Sequence, residues 1–173
     1  MDKGLLILNT GNGKGKTTAA LGLAFRAMGH HKKVCLIQFI KGSETYGELF
    51  AVERYIDLVD VFVTGRGFSW QSDDIDKDQL LALKGWDLAR EQLNSPEYFM
   101  VILDELTYLI TLGFLKADDI LNHLKHRRED LHVVVTGRYA PAKLIEAADL
   151  VTEMQEIKHP YTMGVMAQQG IEF

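Results

Sequence analysis

Cysteine is nearly absent from this sequence: Cys35 is the only one among 173 residues. That excludes an intrachain disulfide and any metal centre built from several thiolates. Cys35 stands inside the apolar run Val34-Cys35-Leu36-Ile37, where a thiol reads as a buried, inert core group rather than a nucleophile. Only three prolines occur. No repeat, low-complexity tract or Pro/Gly/Ser-rich linker interrupts the chain, so one domain over residues 1–173 is expected. No apolar run approaches the ~18 residues needed to cross a bilayer. The opening Met1-Asp2-Lys3-Gly4 leads into a short apolar segment without an Ala-x-Ala cleavage pattern. Excess positive charge is missing too: 19 Lys and Arg against 24 Asp and Glu give a formal charge of −5 and a pI near 5.7. Generic attraction to a nucleic-acid backbone is therefore not expected, although local basic patches can bind anions. With 47% hydrophobic and 25% charged residues, disordered and fibrous classes are poor readings, and the composition is that of a soluble, cytoplasmic domain.

What the chain does contain is a set of short apolar runs with helical stretches between them. Strands are predicted at 5–8, 34–40, 58–63, 99–103, 131–135 and 150–154. These runs are nearly continuous in Ile, Val, Leu and Phe rather than alternating, as suits strands buried on both faces. A helix is predicted over 17–28, with Ala20, Ala24, Ala27 and Met28 on one face and Gly29 as its stop. Others are predicted near 76–93 and 117–127, and a fourth starts near Pro141. The alternation predicts an α/β domain with a mostly parallel central sheet and helices on both faces; the phosphate loop after the first strand narrows this to the P-loop NTPase, RecA-like class. In such sheets ligands bind at the carboxyl ends of the strands, so the loops that follow strands are where chemistry is expected.

The first of these loops is Thr10-Gly11-Asn12-Gly13-Lys14-Gly15-Lys16-Thr17-Thr18. It nearly fits the Walker A pattern, with Thr10 standing where the strict pattern has its first glycine. The glycines let the backbone fold tightly and aim N–H groups at phosphate oxygens, Lys16 adds a point charge, and the Thr17 hydroxyl can coordinate Mg²⁺. The helix that starts there contributes its positive end. A glycine-rich turn that binds nothing is the weaker reading, because Gly15-Lys16-Thr17-Thr18 opens a helix directly after a buried strand. The acidic partner is expected in Met100-Val101-Ile102-Leu103-Asp104-Glu105, where a buried strand delivers two carboxylates to the same edge. Asp104 could instead simply cap the next helix. Two further loops stand out: Thr64-Gly65-Arg66-Gly67-Phe68-Ser69-Trp70, with aromatics in a glycine-rich segment, and Val135-Thr136-Gly137-Arg138. Arg66 and Arg138 could each serve phosphates or pair with surface carboxylates. Lys41, after the second strand, is a candidate anion ligand. The His30-His31-Lys32-Lys33 turn reads as solvated surface on the opposite edge, His123 and His126 lack the convergence zinc requires, and His159 reads as structural.

These motifs together resemble the P-loop ATP:corrinoid adenosyltransferases. The resemblance begins with Gly11-Asn12-Gly13-Lys14-Gly15-Lys16-Thr17-Thr18 and continues through Gln38-Phe39-Ile40-Lys41-Gly42, Gly67-Phe68-Ser69-Trp70 and Leu103-Asp104-Glu105-Leu106-Thr107-Tyr108. It closes with Thr136-Gly137-Arg138 and Gln169-Gly170-Ile171-Glu172-Phe173, in family order over essentially the whole chain. Thr10 belongs to this family's version of the loop. The resemblance implies transfer of the 5′-deoxyadenosyl group of ATP to the Co(I) of a reduced corrinoid, with triphosphate released. Since Co(I) is itself the nucleophile, no Ser, Cys or His nucleophile is needed. The enzyme must orient the 5′-carbon and neutralise the leaving group.

On that reading ATP lies against Gly11, Asn12, Gly13, Lys14, Gly15, Lys16, Thr17, Thr18, Lys41 and Arg138, and Mg²⁺ near Thr17 and Glu105. Lys16, Phe68 and Trp70 are the catalytic candidates, the two aromatics displacing the lower axial ligand to leave a four-coordinate cobalt. The resemblance also implies ATP held in reverse relative to most P-loop enzymes and a reduced flavoprotein as electron donor, and it admits a homodimer. Some members carry an N-terminal extension over the site. Here the first predicted strand begins at once, so that cover is expected to be absent or supplied otherwise. Two alternatives stay open at this point: a RecA-like ATPase or nucleotide-gated partner-binding module, and a relative that binds the corrinoid without turnover.

Overall fold

The computed structural model describes residues 3–42, 46–67 and 75–173. Six strands, β1 (Leu6–Thr10), β2 (Val34–Gln38), β3 (Val59–Val63), β4 (Met100–Asp104), β5 (His132–Thr136) and β6 (Leu150–Glu153), form one sheet in the order β3-β2-β4-β5-β1-β6. Every pairing in it is parallel. Each run predicted from apolar continuity contains a strand, but β6, at the sheet edge, is exposed along its whole length instead of buried on both faces. For the inner strands the reason is visible in the packing. Leu6, Leu8, Cys35, Ile37, Val101, Leu103, Val133 and Val135 point into one core; Ile7, Val34, Leu36, Met100, Ile102 and Val134 point into the other. Both faces need apolar residues, so alternation disappears. Burial pushes the Cys35 thiol up to about 12, which leaves it an unreactive core group.

Helix α1 (Lys16–Gly29) covers the second face through Ala20, Ala24, Ala27 and Met28, with Val52 of the short α2 (Gly47–Val52) at its border. The other face carries α3 (Ile75–Asn94), α4 (Leu106–Thr111), α5 (Ala117–Lys125) and α6 (Ala142–Ala147), through residues such as Trp86, Ala89, Leu109, Leu124 and Leu144. Pro141 precedes α6 as its N-cap residue. One helix stop differs from expectation. Gly29 is the last residue of α1, and the left-handed turn falls on His31, at φ 55°. His30 and Lys32 lie at the edge opposite the phosphate loop, beside Phe99 and His132. Among the described residues no helix is long and apolar enough to cross a membrane.

Candidate active site

The loop between β1 and α1 enters the helix through Gly15, whose φ of 106° is a hand that a residue with a Cβ rarely adopts. From below, the loop rests on the backbone that leaves β6: Gly13 N–H donates to the Met154 carbonyl at 2.6 Å and Met154 N–H to the Thr10 carbonyl at 2.9 Å. Thr10, at the position where the strict motif has glycine, is buried and its hydroxyl oxygen accepts from Ala140 N–H at 3.4 Å, tying the phosphate loop to the loop after β5. Lys16 bends back over its own loop, its Nζ donating to the carbonyls of Gly11 at 2.8 Å and Gly13 at 2.6 Å. Burial, and then the Arg138 charge, lower its pKa, while Glu105 opposes them.

Asp104 ends β4 fully buried, so it is no helix cap. Its Oδ1 accepts from Thr17 Oγ1 at 2.8 Å and from Thr136 Oγ1 at 2.7 Å, and its Oδ2 from Gln38 Nε2 at 3.3 Å. Glu105 is the residue before α4. It takes a left-handed conformation, φ 63°, with its N–H on Thr136 Oγ1 at 2.8 Å. That turn sends its side chain to the wall of the phosphate-loop pocket. Burial and then the adjacent Asp104 charge push its carboxyl up to about 7, against Lys41, Lys16 and Arg138. The loop after β5 is equally constrained. A Cβ at Gly137, φ 141°, would stand 2.0 Å from Thr107 Oγ1, and that hydroxyl donates to the Arg138 carbonyl at 2.6 Å.

The resulting cavity, about 430 Å³, is lined by Gly13, Lys14, Gly15, Lys16, Thr17 and Thr18 of the loop, and by Lys41, Glu105 and Arg138. These sequence candidates are therefore brought together. Gly11 and Asn12 are not on its wall; Gly11 instead supplies a carbonyl to Lys16. Arg66 is committed elsewhere, to Asp78 at 2.7 Å. Phe68 and Trp70 lie outside the described residues. His159 accepts Tyr161 N–H in a 3₁₀ turn, a structural job. The ring nitrogens of His123 and His126 engage carbonyls of their own helix. No group of three or more His, Cys, Asp or Glu able to hold a metal exists among the described residues.

Other wall residues were not named as site candidates from the sequence, although Tyr108 and the closing residues stand in motifs that carry the resemblance. Gly47 and Glu48 come from α2, Tyr108 from α4, and Gly170, Ile171, Glu172 and Phe173 from the last segment, where Glu172 pairs with Lys14 at 3.1 Å. The closing motif Gln169-Gly170-Ile171-Glu172-Phe173 was the available signal for the last group; α2 offered none.

The family sequence model for ATP:corrinoid adenosyltransferase BtuR/CobO/CobP matches residues 2–173. The chain belongs to that family. Its relatives include a corrinoid adenosyltransferase of Sinorhizobium sp, 41% identical over 99% of this chain and 81% of that protein. Another, from Pseudomonas aeruginosa, is 42% identical over 99% of this chain and 85% of that protein. In fold the chain is similar to the flagellar accessory protein FlaH from Methanocaldococcus jannaschii, with a TM-score of 0.60 at 12% identity over 88% of this chain and 72% of that one. The architecture is the RecA-like P-loop arrangement expected from the sequence. Membership carries the family's reaction, ATP-dependent adenosyl transfer to a corrinoid.

Proposed function

We propose that this adenosyltransferase binds ATP with its triphosphate in the Gly13–Thr18 pocket and transfers the 5′-deoxyadenosyl group to the Co(I) of a reduced corrinoid. The cobalt electron pair forms the Co–C bond, and the C5′–O bond breaks with its own electron pair leaving on triphosphate. The observation that carries the reading is the charge arrangement of the cavity. Lys14, Lys16, Lys41 and Arg138 surround the phosphate loop, which suits a polyanionic leaving group whose charge must be neutralised as the bond breaks. Lys16, freed from the two loop carbonyls, bonds the phosphates, and Arg138 holds the opposite wall.

The donors also fit Mg²⁺. Thr17 lines the cavity, and with its hydroxyl hydrogen spent on Asp104 its Oγ1 retains lone pairs for a cation. Glu105 supplies a hard carboxylate oxygen on the same wall. Its carboxyl, pushed up to about 7, is a group that a nearby cation would ionise. Thr17 and Glu105 would hold the ion, which would supply charge neutralisation to the triphosphate oxygens. By the resemblance, Phe68 and Trp70 present the cobalt with an apolar wall that offers no lone pair, and a reduced flavoprotein provides electrons in a cytoplasmic setting. A homodimer is the assembly to test by light scattering.

The deciding experiment incubates the protein with Mg-ATP and chemically reduced cobalamin. The alkylcobalt spectrum and stoichiometric triphosphate are expected. ADP with inorganic phosphate, and no change at cobalt, would instead indicate a RecA-like ATPase.

A further inference from the structure

We propose that Glu48 is a positioning residue for this reaction: it parks the Lys41 ammonium away from Asp104 and thereby keeps Asp104 committed to Thr17. This rests on the pocket holding Mg-ATP. Glu48 stands in the first turn of α2, outside every motif that carries the family resemblance, and its carboxylate reaches back to the end of β2. Its Oε1 accepts from Lys41 Nζ at 2.5 Å and from Gln38 Nε2 at 3.2 Å. The same Gln38 nitrogen donates to Asp104 Oδ2 at 3.3 Å, and Lys41 Nζ lies 3.9 Å from that oxygen. The orientation of the amide is fixed by its neighbours, because an oxygen in place of that nitrogen would face two carboxylates. The ring of Tyr46 closes the far side, 4.6 Å from Lys41 Nζ.

Two carboxylates, Glu48 and Asp104, thus compete for one ammonium. The Lys41 and Glu48 side chains are only 16% and 15% exposed and Asp104 is fully buried, so a charge-assisted hydrogen bond here is weakly screened. With Glu48 charged, Lys41 is held at hydrogen-bond distance from it and stays outside that distance from Asp104. Asp104 Oδ1 then serves the Thr17 and Thr136 hydroxyls. A neutral residue 48 holds the ammonium less tightly, even where an amide oxygen still accepts from it, and shifts it toward the nearest remaining carboxylate, Asp104. An ion pair at Oδ2 draws on the charge of the carboxylate whose Oδ1 holds the Thr17 hydroxyl, weakening that bond, and it brings a positive charge closer to the group that would help hold a divalent cation. The effect of Glu48 on the metal is indirect, exerted through Lys41.

The test compares Glu48→Gln and the double variant Lys41→Met/Glu48→Gln with the parent protein. Binding of a fluorescent ATP analogue is measured in EDTA and across a Mg²⁺ titration. In EDTA, Glu48→Gln should bind the analogue severalfold more tightly, since one negative charge has left the pocket. Its half-saturating Mg²⁺ concentration should rise about tenfold, the response to one extra charge-assisted hydrogen bond at Asp104. Removing Lys41 as well should return the Mg²⁺ midpoint to near the parental value, although the analogue then binds more weakly in EDTA. Glu48→Asp, which keeps the charge, should lie closer to the parent than Glu48→Gln does, and it serves as the test variant if Glu48→Gln does not fold. A parallel loss of binding with and without Mg²⁺, an unchanged midpoint, or a double variant no better than the single one would overturn the proposal. These are binding readouts, so a parent protein that bound Mg-ATP but failed to adenosylate cobalamin would defeat the functional reading and leave this one standing.

Discussion

Replacing Lys16 with Ala separates what the lysine does for the loop from what it does for the nucleotide. In the structure its ammonium staples the phosphate loop to itself through the Gly11 and Gly13 carbonyls, at 2.8 and 2.6 Å. Gly13 is buried and Gly11 partly so, but Lys16 lines an open cavity from which water can replace its ammonium at both carbonyls, so losing the pair costs about 1 kcal/mol net. Part of that is returned, because burial and the neighbouring Arg138 already disfavour the ammonium here. For a chain of this length the melting temperature should fall by no more than about 2–4 °C. Binding is a different matter. A charge-assisted hydrogen bond contributes about 1.5–3 kcal/mol, so the variant should lose roughly 10- to 100-fold in ATP affinity. Arg at this position should not restore binding, since a planar fork cannot enter the ring of loop carbonyls as a point charge does. Titration with a fluorescent ATP analogue, beside a calorimetric melt, measures both quantities. Undiminished affinity in a folded variant would refute the phosphate-loop assignment, and a fall in melting temperature of more than about 10 °C would show that the loop carbonyls, not the phosphates, are the principal partners.

The raised carboxyl of Glu105, near 7 against an ordinary 4.5, means that the native state holds a proton the unfolded chain has released. Stability of the nucleotide-free protein should therefore fall as pH rises from about 4.5 to about 7 and level off above, and urea melts of Glu105→Gln should show a flatter slope in that window. The same variant should need more Mg²⁺ for ATP binding, an amide being a poorer ligand for a hard cation; a parental Mg²⁺ response would move that role to Asp104. Glu172→Gln should release Lys14 from its 3.1 Å pair and raise ATP affinity a few-fold at low salt, an effect that fades at high salt; no salt-dependent difference would show that the pair is inert. Phe68→Ala/Trp70→Ala should cripple turnover from cob(II)alamin under a mild reductant while largely sparing pre-formed cob(I)alamin and ATP binding, and equal loss of both activities would assign the pair to general corrinoid binding or packing.

The inner strands and long helices were legible because their burial is written in composition: a strand packed on both faces must be apolar throughout, and α1 shows a small-residue stripe at Ala20, Ala24 and Ala27. The six-residue helices α2 and α4 were not. None of the residues of α2 is buried, so it has no apolar period to detect, and α4 starts abruptly from the left-handed Glu105 at the end of a strand. That same residue explains the ambiguity over the two carboxylates. In sequence Asp104 and Glu105 are equivalent. In the fold, the strand ends by burying the first under two hydroxyls, and the reversed hand of the second turns it to the cavity. No composition or spacing argument reports the sign of φ at a glutamate.

The deeper reason the site was only half visible lies in the strand order. The phosphate loop follows β1 and the acidic pair follows β4, but these strands are not neighbours: β5 runs between them. A site drawn from two strands separated by a third must be bridged by the third, and Thr136 does this. Its hydroxyl donates to Asp104 at 2.7 Å while accepting the Glu105 N–H at 2.8 Å, and the next residue, Gly137, donates its N–H to the Asn9 carbonyl at 3.2 Å. Thr136 thus couples the carboxylates to the edge of β1 without facing the nucleotide cavity. The threonine opens the motif Thr136-Gly137-Arg138, but its bridging role gains meaning only once β5 is known to lie between β1 and β4. The phosphate loop was readable because its glycines and lysine follow a pattern that suits phosphate; Thr136 and Gln38, inside motifs, and Glu48, outside them, bond other side chains, and those relations exist only in the folded sheet.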